Sequence, residues 1–284
     1  MTNVLIPESM EELRQILETH PGARVYAGGT DLLVKMRSGV EAVPPCLVCL
    51  ERIAELGAVS ERGEVVRIGA CVTHTRLLAD PVATEQLPVL VRAVRVLGSR
   101  LIRNMGTIGG NVCTASPAGD TLPPLYVLDA ELELRGGTGS RIVALKDFIR
   151  GPGQTVLGEN EILAAVRIRK PRMFNLFHYE KVGQRKGLCC SAVSLAAMLR
   201  VSSGGVVEDA ALAWGSVGPT VVRSREIERM LIGKELTAEG MREAAAEVGK
   251  IVSPISDVRA DAAYRRAVAG NLLLRLAARD GSSP

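Results

Sequence analysis

Met105-Gly106-Thr107-Ile108-Gly109-Gly110-Asn111 combines three glycines with a hydroxyl and a side-chain amide. It stands inside a longer stretch, residues 103–120, that is rich in Gly, Thr, Ser and Asn but is flanked by strongly apolar segments. A loop of this length inside a compact domain is uncommon and is often functional. We therefore expect residues 103–120 to form a loop that binds a ligand.

A second glycine-rich turn, Gly28-Gly29-Thr30-Asp31, lies about 80 residues earlier in the chain. Glycine has no side chain, so its backbone is able to turn sharply and to approach a ligand closely. The turn precedes a predicted helix that runs through Arg37, and the free N–H groups at a helix start favour an anion. Thr30 adds a hydroxyl donor, whereas Asp31 caps the helix or accepts a hydrogen bond from a neighbouring loop. Two such turns are able to hold one dinucleotide diphosphate from both sides.

Asp120 follows Asn111 by nine residues, within Ser116-Pro117-Ala118-Gly119-Asp120. Its carboxylate is able to accept hydrogen bonds from ribityl or ribose hydroxyls. Hydrogen bonds to charged groups contribute about 1.5–3 kcal/mol each, so several of them retain a cofactor through turnover. Neither turn has the G-x-G-x-x-G spacing, and the sequence therefore does not support a Rossmann site.

These motifs resemble those of a known family, the FAD-binding (medium) subunit shared by xanthine dehydrogenases and carbon monoxide dehydrogenases, which are molybdenum hydroxylases. The resemblance runs nearly end to end. It rests on Ala27-Gly28-Gly29-Thr30-Asp31-Leu32, on Thr107-Ile108-Gly109-Gly110-Asn111 and on Ser116-Pro117-x-x-Asp120. Supporting matches are Glu161-Ile162-Leu163, Tyr179-Glu180-Lys181 with Arg185, and Asp257-Val258-Arg259 with Tyr264-Arg265-Arg266.

The resemblance implies an α+β fold in two domains. Residues 1–170 are expected to form a two-lobed FAD-binding domain of the vanillyl-alcohol oxidase (PCMH) type, with lobes at about 1–55 and 56–170. Residues 171–284 are expected to form a smaller C-terminal α+β domain of the carbon monoxide dehydrogenase flavoprotein type. Lys170-Pro171-Arg172 is a plausible boundary between them.

FAD is the implied cofactor, and the resemblance places no catalytic residue and no metal ligand on this chain. It implies that residues 28–32 and 107–111 hold the diphosphate, that Asp120 binds a cofactor hydroxyl, that Leu163 packs against the cofactor and that Lys181 approaches it from the second domain. The full set of implied FAD-binding residues is Val25, Tyr26, Ala27, Gly28, Gly29, Thr30, Asp31, Leu32, Thr107, Ile108, Gly109, Gly110, Asn111, Ser116, Asp120, Leu163 and Lys181.

The implied function is electron transfer within a heteromeric complex, a heterotrimer or a dimer of heterotrimers. A small subunit with 2Fe–2S clusters would pass electrons from a molybdopterin-binding large subunit to FAD, which then reduces NAD or another acceptor. An alternative is a free-standing flavin-dependent reductase of the same FAD fold, similar to the cell-wall enzyme that reduces enolpyruvyl-UDP-N-acetylglucosamine. That enzyme needs its own substrate acid and base, which the sequence does not reveal. A third alternative, a scaffold that has lost FAD, is disfavoured by the intact glycine pairs.

Composition excludes several other classes. The 284 residues are 47% hydrophobic and carry a formal charge of +4, with no basic block typical of nucleic-acid binding. No apolar stretch reaches the ~18 residues of a transmembrane segment. We see no signal peptide at the N-terminus, so the six cysteines are expected to be free thiols in a cytoplasmic protein. The Cys46-x-x-Cys49 spacing is interpreted as structural, because no second pair completes a metal site.

Two further residues are open to more than one interpretation. Trp214 occupies a stretch that is usually aliphatic in the family, and a core position is favoured over one beside the flavin. His178 is interpreted as structural, with a position facing the flavin edge as the alternative. Tyr26 also departs from the family, which more often has an aliphatic residue there.

Overall fold

The computed structural model describes residues 2–137, 139–185 and 190–277. The chain divides into two compact units. The first consists of Met1–Gln86, Ser99–Ala115 and Ala130–Arg169, and the second of Leu87–Gly98, Ser116–Asp129 and Lys170–Pro284. Both units mix helices and strands, so the predicted α+β class is confirmed. The predicted boundary near residue 170 marks only the last change of unit, and the predicted domain limits stay a prediction.

Helices and strands alternate irregularly along the described residues. The helices are α1 (Met10–Thr19), α2 (Leu32–Arg37), α3 (His74–Ala79), α4 (Pro81–Gln86), α5 (Pro88–Val96), α6 (Arg100–Met105), α7 (Ile108–Thr114), α8 (Leu122–Val127), α9 (Leu145–Phe148), α10 (Arg225–Leu231), α11 (Ala238–Ile251) and α12 (Ala262–Ala277), with a 3₁₀ turn at Ala54–Gly57. The strands are β1 (Asn3–Leu5), β2 (Arg24–Tyr26), β3 (Cys46–Cys49), β4 (Val59–Arg62), β5 (Val65–Gly69), β6 (Glu131–Gly136), β7 (Gly139–Ala144), β8 (Ile149–Gly151), β9 (Gln154–Thr155), β10 (Ile162–Arg169), β11 (Leu176–Val182), β12 (Val193–Val201) and β13 (Val207–Gly215).

The N-terminal part of the first unit is a small parallel sheet in the order β1-β3-β2. Its central strand, β3, is buried along its whole length, as the apolar run around Cys46 predicts. Ser9 and Glu12 have the spacing of a capping box, which predicts a helix start at Ser9. Ser9 does begin α1, because its side chain accepts a hydrogen bond from the Glu12 amide. The chain leaves β2 directly into the first glycine turn, so the sheet fixes where that turn begins.

A five-stranded antiparallel sheet forms the rest of the first unit, in the order β4-β5-β10-β6-β7. Its central strand β10 has buried residues at nearly every position, as expected for a strand covered on both faces. A backbone hydrogen bond from the Ala70 amide to the Ala164 carbonyl (2.9 Å) joins the end of β5 to β10. The Ala70 carbonyl at this junction accepts the hydrogen bond of the Gly109 amide, so the junction positions the second glycine turn.

The second unit has the antiparallel sheet β11-β12-β13 with α10, α11 and α12 packed into one apolar core. Trp214 is fully buried in that core and donates its indole N–H to the Ala269 carbonyl at 3.1 Å. The core interpretation of Trp214 is therefore confirmed. Apolar patterns in the sequence predict strands over residues 176–181, 193–201 and 210–214 and helices over 224–231 and 238–252, and all five are present within a few residues. The sequence also predicts a C-terminal helix from about Ala260 to Ala278; α12 occupies Ala262–Ala277, and Ala278 lies outside the described residues.

The predicted loop over residues 103–120 is wrong. α6 runs to Met105, α7 occupies Ile108–Thr114, and α8 begins at Leu122. Each of the first two helices is started by a hydroxyl cap, from Ser99 and Thr107 respectively, and Ala115 ends α7 in the left-handed conformation. Small polar residues and glycines disfavour helices in isolation, but two caps and burial of α7 in the tertiary structure outweigh that propensity.

Candidate cofactor site

The two glycine turns meet inside the first unit. A β-carbon added to Gly28 would lie 1.7 Å from the carbonyl oxygen of Met105 and 3.1 Å from the amide nitrogen of Gly106. Only a residue without a side chain allows the backbones of residues 28 and 105 to come this close, so glycine is required at position 28, where the two turns meet. The Thr30 hydroxyl lies 3.3 Å from the position that a Gly106 β-carbon would take. The predicted juxtaposition of the two turns is thus present in the structure.

The backbone amides of the first turn point to no acceptor in the protein. Among the described residues, none accepts a hydrogen bond from the N–H groups of residues 28–32. The turn is half-buried, and Gly29 has a positive φ of 67°, a conformation that glycine adopts without steric strain. Unpaired amides at a half-buried site are costly unless a ligand or solvent receives them. Such a cluster of donors fits an anionic group like a diphosphate.

Asp31 does not use its side chain to cap α2. Its carboxylate instead accepts a hydrogen bond from the Thr114 hydroxyl at 3.1 Å and pairs with Lys35 at 2.6 Å. Of the two sequence interpretations, acceptance from a neighbouring segment is therefore confirmed. The hydrogen bond connects the first turn to the C-terminal end of α7. The ion pair with Lys35 compensates the negative charge of Asp31, which would otherwise repel a phosphate.

The second turn uses its amides differently. The amide of Ile108 donates to the Val72 carbonyl (3.0 Å), and that of Gly109 donates to the Ala70 carbonyl (2.9 Å). The Thr107 hydroxyl caps α7 by accepting from the Gly110 amide at 3.1 Å. A β-carbon at Gly109 would lie only 2.5 Å from the Ala70 β-carbon. The role that the family resemblance assigns to Thr107–Asn111 at the diphosphate stays a prediction, while the observed role of Gly109 is close packing on the end of β5.

His74 packs against the second turn at Gly106. Its backbone amide donates to the Gly106 carbonyl at 3.0 Å, and its ring carbon Cδ2 lies 3.3 Å from the position of a Gly106 β-carbon. The side chain is 3% exposed, and its Nδ1 has no hydrogen-bond partner among the described residues. Burial, together with the nearby Arg103 guanidinium, lowers the pKa of His74 to about 4. The imidazole is therefore neutral near pH 7.

The remaining site residues predicted in the first unit lie on strands next to the turns. Val25 and Tyr26 belong to β2, and the Tyr26 carbonyl accepts a hydrogen bond from the Leu50 amide. Burial and a hydrogen bond with Cys49 raise the pKa of Tyr26 to about 12, so its phenol stays neutral. Leu163 is buried in β10 immediately before Ala164, the residue bonded to Ala70. Their contact with a cofactor stays a prediction.

Three of the predicted residues belong to the second unit. The Ser116 hydroxyl accepts a hydrogen bond from the Ala118 amide at 3.3 Å and shapes the turn before Asp120. Lys181 Nζ lies 2.6 Å from Asp120 Oδ2, and the Tyr179 hydroxyl donates to Asp120 Oδ1 at 3.1 Å. Burial raises the pKa of the Asp120 carboxyl, and Lys181 and Tyr179 oppose that shift. Both carboxylate oxygens are thus already engaged inside the unit.

Sequence reasoning did not assign a role to Tyr179 or to Ala70. A signal for Tyr179 exists, because alternate residues of a strand share a face and Tyr179 lies two positions before Lys181 on β11. His178 and Glu180 occupy the opposite face of the same strand, where the His178 ring is buried 3.4 Å from the Glu180 carboxylate. No comparable signal points to Ala70, since its contact with Gly109 arises only from the tertiary fold.

The described cysteines form no disulfide. Cys46, Cys49, Cys71, Cys113 and Cys190 are free thiols, and Cys189 lies outside the described residues. In the part of the chain that the structure describes, no group of three or more His, Cys, Asp or Glu side chains is arranged to hold a metal. None of the described helices combines the length and the apolar character that crossing a bilayer requires.

Comparison with known proteins gives consistent matches along the chain. Residues 1–171 match the family described as the FAD binding domain in molybdopterin dehydrogenase, and residues 178–279 match the CO dehydrogenase flavoprotein C-terminal domain. The glyceraldehyde dehydrogenase medium chain of Sulfolobus acidocaldarius is 32% identical over 94% of this chain and 94% of its own length. The carbon monoxide dehydrogenase medium chain of Hydrogenophaga pseudoflava is 32% identical over 95% and 93%. A chain of quinoline 2-oxidoreductase from Pseudomonas putida 86 superposes with a TM-score of 0.93 at 28% identity, covering 98% of this chain and 96% of its own.

Proposed function

Because this chain belongs to the family of FAD-binding domains in molybdopterin dehydrogenases, we propose that it is the electron-transferring flavin subunit of a molybdenum hydroxylase. Its fold is that family's, an FAD-binding domain of the vanillyl-alcohol oxidase type followed by a smaller α+β domain. The cofactor of the family is FAD, and the family consists of oxidoreductases. The finer proposal is that electrons arrive from 2Fe–2S clusters on a partner and leave through FAD to NAD or another acceptor.

The proposal that residues 28–32 bind the diphosphate of FAD rests on one observation. Gly28 lies against the Met105 carbonyl, and beside this crossing the amides of residues 28–32 have no acceptor among the described residues. A diphosphate accepts several such hydrogen bonds at once, each worth about 1.5–3 kcal/mol because the acceptor is charged. The residues present therefore fit an FAD diphosphate at the first turn.

Each residue around the first turn has a proposed task in binding. The amides of residues 28–32 donate to the diphosphate, and the Thr30 hydroxyl adds a further donor. Thr114 and Lys35 hold the Asp31 carboxylate away from the phosphates. When bound, FAD supplies the exchange between one-electron and two-electron chemistry, and the protein binds and orients it. No general acid or base of this chain is required.

Asp120 and Lys181 of the second unit are proposed to contact the cofactor, as the family resemblance implies. Burial raises the pKa of the Asp120 carboxyl, and the Lys181 ammonium, 2.6 Å away, opposes that shift and favours the ionised form. An ionised carboxylate with two fixed oxygens is a directional acceptor for a hydroxyl group. Leu163 is proposed to supply an apolar packing surface.

The proposed partners are a molybdopterin-binding large subunit and a small subunit with two 2Fe–2S clusters, assembled as a heterotrimer or a dimer of heterotrimers. Support comes from the relatives, which are described as medium chains or FAD-binding subunits and which this chain covers almost completely. We further propose that the complex is cytoplasmic, in agreement with the free thiols of the described cysteines.

Purification of the native complex tests the proposal. We expect FAD, molybdenum and iron to copurify with this chain, and the substrate-reduced complex to form NADH when NAD is added without oxygen. A chain that purifies alone and oxidises or reduces a substrate by itself would favour the free-standing reductase. A native preparation without flavin would overturn both interpretations. Flavin and metals without NADH formation would instead direct attention to another acceptor.

A further inference from the structure

One face of the sheet β11-β12-β13 carries a short row of polar side chains. Lys181 pairs with Ser194 across the first two strands, and Ser194 pairs with Gly215 across the next two. Tyr179 lies two positions before Lys181 on β11, and alternate residues of a strand share a face. Residues that pair directly across a sheet also share a face. These four positions therefore lie on the same side of the sheet.

Gly215 allows the chain around Asp120 to pack directly against this face. A β-carbon at Gly215 would lie 2.5 Å from the Ser194 hydroxyl oxygen and 2.9 Å from the Pro123 side chain. The Pro117 carbonyl oxygen would lie 3.7 Å away. Any larger residue at position 215 would displace one of the two nearer groups. Because Pro117 and Pro123 stand before and after Asp120 in the chain, this close packing brings the Asp120 carboxylate to the polar row.

Asp120 meets the row through both of its carboxylate oxygens. Lys181 Nζ lies 2.6 Å from Oδ2, and the Tyr179 hydroxyl donates to Oδ1 at 3.1 Å. The Ser194 hydroxyl, which is buried, forms a hydrogen bond with the Tyr179 hydroxyl. Since the single proton of Tyr179 is directed to Asp120, Ser194 is the donor in that bond. Each carboxylate oxygen has two lone pairs, so each is able to accept a second hydrogen bond.

Lys181 and Tyr179 act on the carboxylate in different ways. Lys181 supplies a positive charge on a flexible stem with three rotatable donors, whereas Tyr179 supplies one donor on a rigid ring. Burial raises the pKa of Tyr179 well above its ordinary value, so its hydroxyl stays protonated and remains a donor. Burial also raises the pKa of Asp120, and both β11 residues oppose that shift. The adjoining elements contribute uncharged groups, the Val96 carbonyl from α5, 3.5 Å from Lys181 Nζ, and the Ser194 hydroxyl from β12.

We propose that Tyr179, oriented by Ser194, is a positioning residue that fixes the Asp120 carboxylate so that it receives a hydroxyl group of the cofactor. The proposal rests on the proposed function, in which Asp120 contacts FAD. Tyr179 acts through Oδ1 of Asp120 and does not itself need to touch the cofactor. Without the tyrosine hydroxyl, a buried carboxylate oxygen loses a donor, and the carboxylate is held by the mobile ammonium of Lys181.

FAD binding to the purified complex, after its flavin has been removed, tests the proposal. The variants are Tyr179→Phe, which removes one hydroxyl and leaves the ring, Ser194→Ala and Asp120→Asn. The matched control is Tyr264→Phe, the same chemical change at a residue of the second unit that is 49% exposed. Measurements are the dissociation constant for FAD from neutral to acidic pH and the melting temperature of the flavin-free protein.

We expect Tyr179→Phe to weaken FAD binding at neutral pH by about tenfold, because a hydrogen bond to a charged acceptor is lost. In the wild type, FAD binding should weaken as the pH falls, since protonation of Asp120 removes the charged acceptor. The Tyr179 hydroxyl lowers the pKa of Asp120, so in Tyr179→Phe this weakening should begin at a higher pH.

Ser194→Ala should change the affinity and its pH dependence in the same direction as Tyr179→Phe, but by less. It keeps the test decisive if Tyr179→Phe lowers the melting temperature of the flavin-free protein. Tyr264→Phe should bind FAD like the wild type at every pH.

Unchanged FAD affinity and pH dependence in Tyr179→Phe and Ser194→Ala would overturn the positioning role. Weaker binding with the pH dependence of the wild type would overturn it as well, because Tyr179 would then stabilise the fold without acting on the carboxylate. If Asp120→Asn binds FAD like the wild type, the proposed contact of Asp120 with the cofactor fails, and the positioning role fails with it. A defect in Asp120→Asn alone would overturn the positioning role and leave the proposed contact intact, so the two failures are distinguished.

Discussion

The two glycine turns have nearly the same residue types but use their backbones in opposite ways. In the first turn, the amides of residues 28–32 have no acceptor among the described residues. In the second, the amides of Ile108, Gly109 and Gly110 are all bonded to neighbouring oxygens of the protein. The first turn is therefore arranged to receive an anion, and the second to anchor a helix against the sheet. Glycine content alone does not distinguish a ligand-binding turn from a packing turn.

The largest expected effect comes from Gly28→Ala. The new β-carbon would lie 1.7 Å from the Met105 carbonyl oxygen, far inside contact distance, so the two turns must separate. Overpacking of this severity costs about 3 kcal/mol or more. We expect the purified complex to retain less than about a tenth of its flavin. The measurement is the ratio of FAD to protein after gel filtration.

Gly204→Ala is the matched control, because its β-carbon would meet only the Ser202 hydroxyl at 3.8 Å. This variant should keep its flavin and its melting temperature. If Gly28→Ala also keeps both, the crossing of the two turns is not required for cofactor binding, and the contrast between the turns loses its functional meaning.

The next largest expected effect is a pH dependence of the unfolding free energy, which originates from His74 beside the second turn. Burial and the neighbouring Arg103 lower the pKa of His74 to about 4, whereas in the unfolded chain it is near the ordinary 6.5. Between these values the unfolded state binds a proton that the folded state does not. The stabilisation is therefore complete above pH 6.5 and is lost as the pH falls toward 4, by up to about 3 kcal/mol.

Urea unfolding of the wild type and of His74→Asn from pH 7 to pH 4 measures this contribution. The informative quantity is the slope of unfolding free energy against pH, since the substitution also changes stability at every pH. The slope should be smaller in the variant. Equal slopes would mean that the pKa of His74 is the same in the folded and unfolded states, so that the folded protein accepts the protonated imidazole as readily as the unfolded chain does.

Much of this contrast lies beyond what the sequence predicts. Apolar patterns and caps predicted the start of α1 and the strands and helices of the second unit, because local signals such as the Ser9 cap act over a few residues. The meeting of the two turns also followed from the sequence, through glycine chemistry and family resemblance. The state of each amide did not, since the acceptors of the second turn, Ala70 and Val72, are supplied by distant segments. The predicted loop at 103–120 failed for a similar reason, because tertiary burial of α7 overrides its low helix propensity.

Gly109→Ala tests the packing role of the second turn. Its β-carbon would lie 2.5 Å from the Ala70 β-carbon and 2.7 Å from the Ala70 carbonyl oxygen. We expect a loss of about 1–3 kcal/mol in unfolding free energy. The control is Gly249→Ala, also within a helix, because its β-carbon would meet the Arg266 side chain at an ordinary contact distance of 3.5 Å. Equal stability of the two variants would contradict the packing role of Gly109.

The smallest expected effect separates the threonines of the two turns, Thr107, which is the N-cap of α7, and Thr30, which directly precedes the N-cap residue of α2. Thr107 accepts a hydrogen bond from the Gly110 amide as the cap of α7, so Thr107→Ala should cost about 1 kcal/mol of unfolding free energy. The Thr30 hydroxyl is proposed to donate to the diphosphate, so Thr30→Ala should release FAD about tenfold faster while the unfolding free energy of the flavin-free chain stays unchanged. The two readouts, flavin release and denaturation of the flavin-free chain, are measured on both variants. The opposite result would be a lower unfolding free energy for Thr30→Ala and faster FAD release for Thr107→Ala. It would mean that the first turn anchors the fold and the second binds the diphosphate, because each hydroxyl is expected to share the role of its own turn.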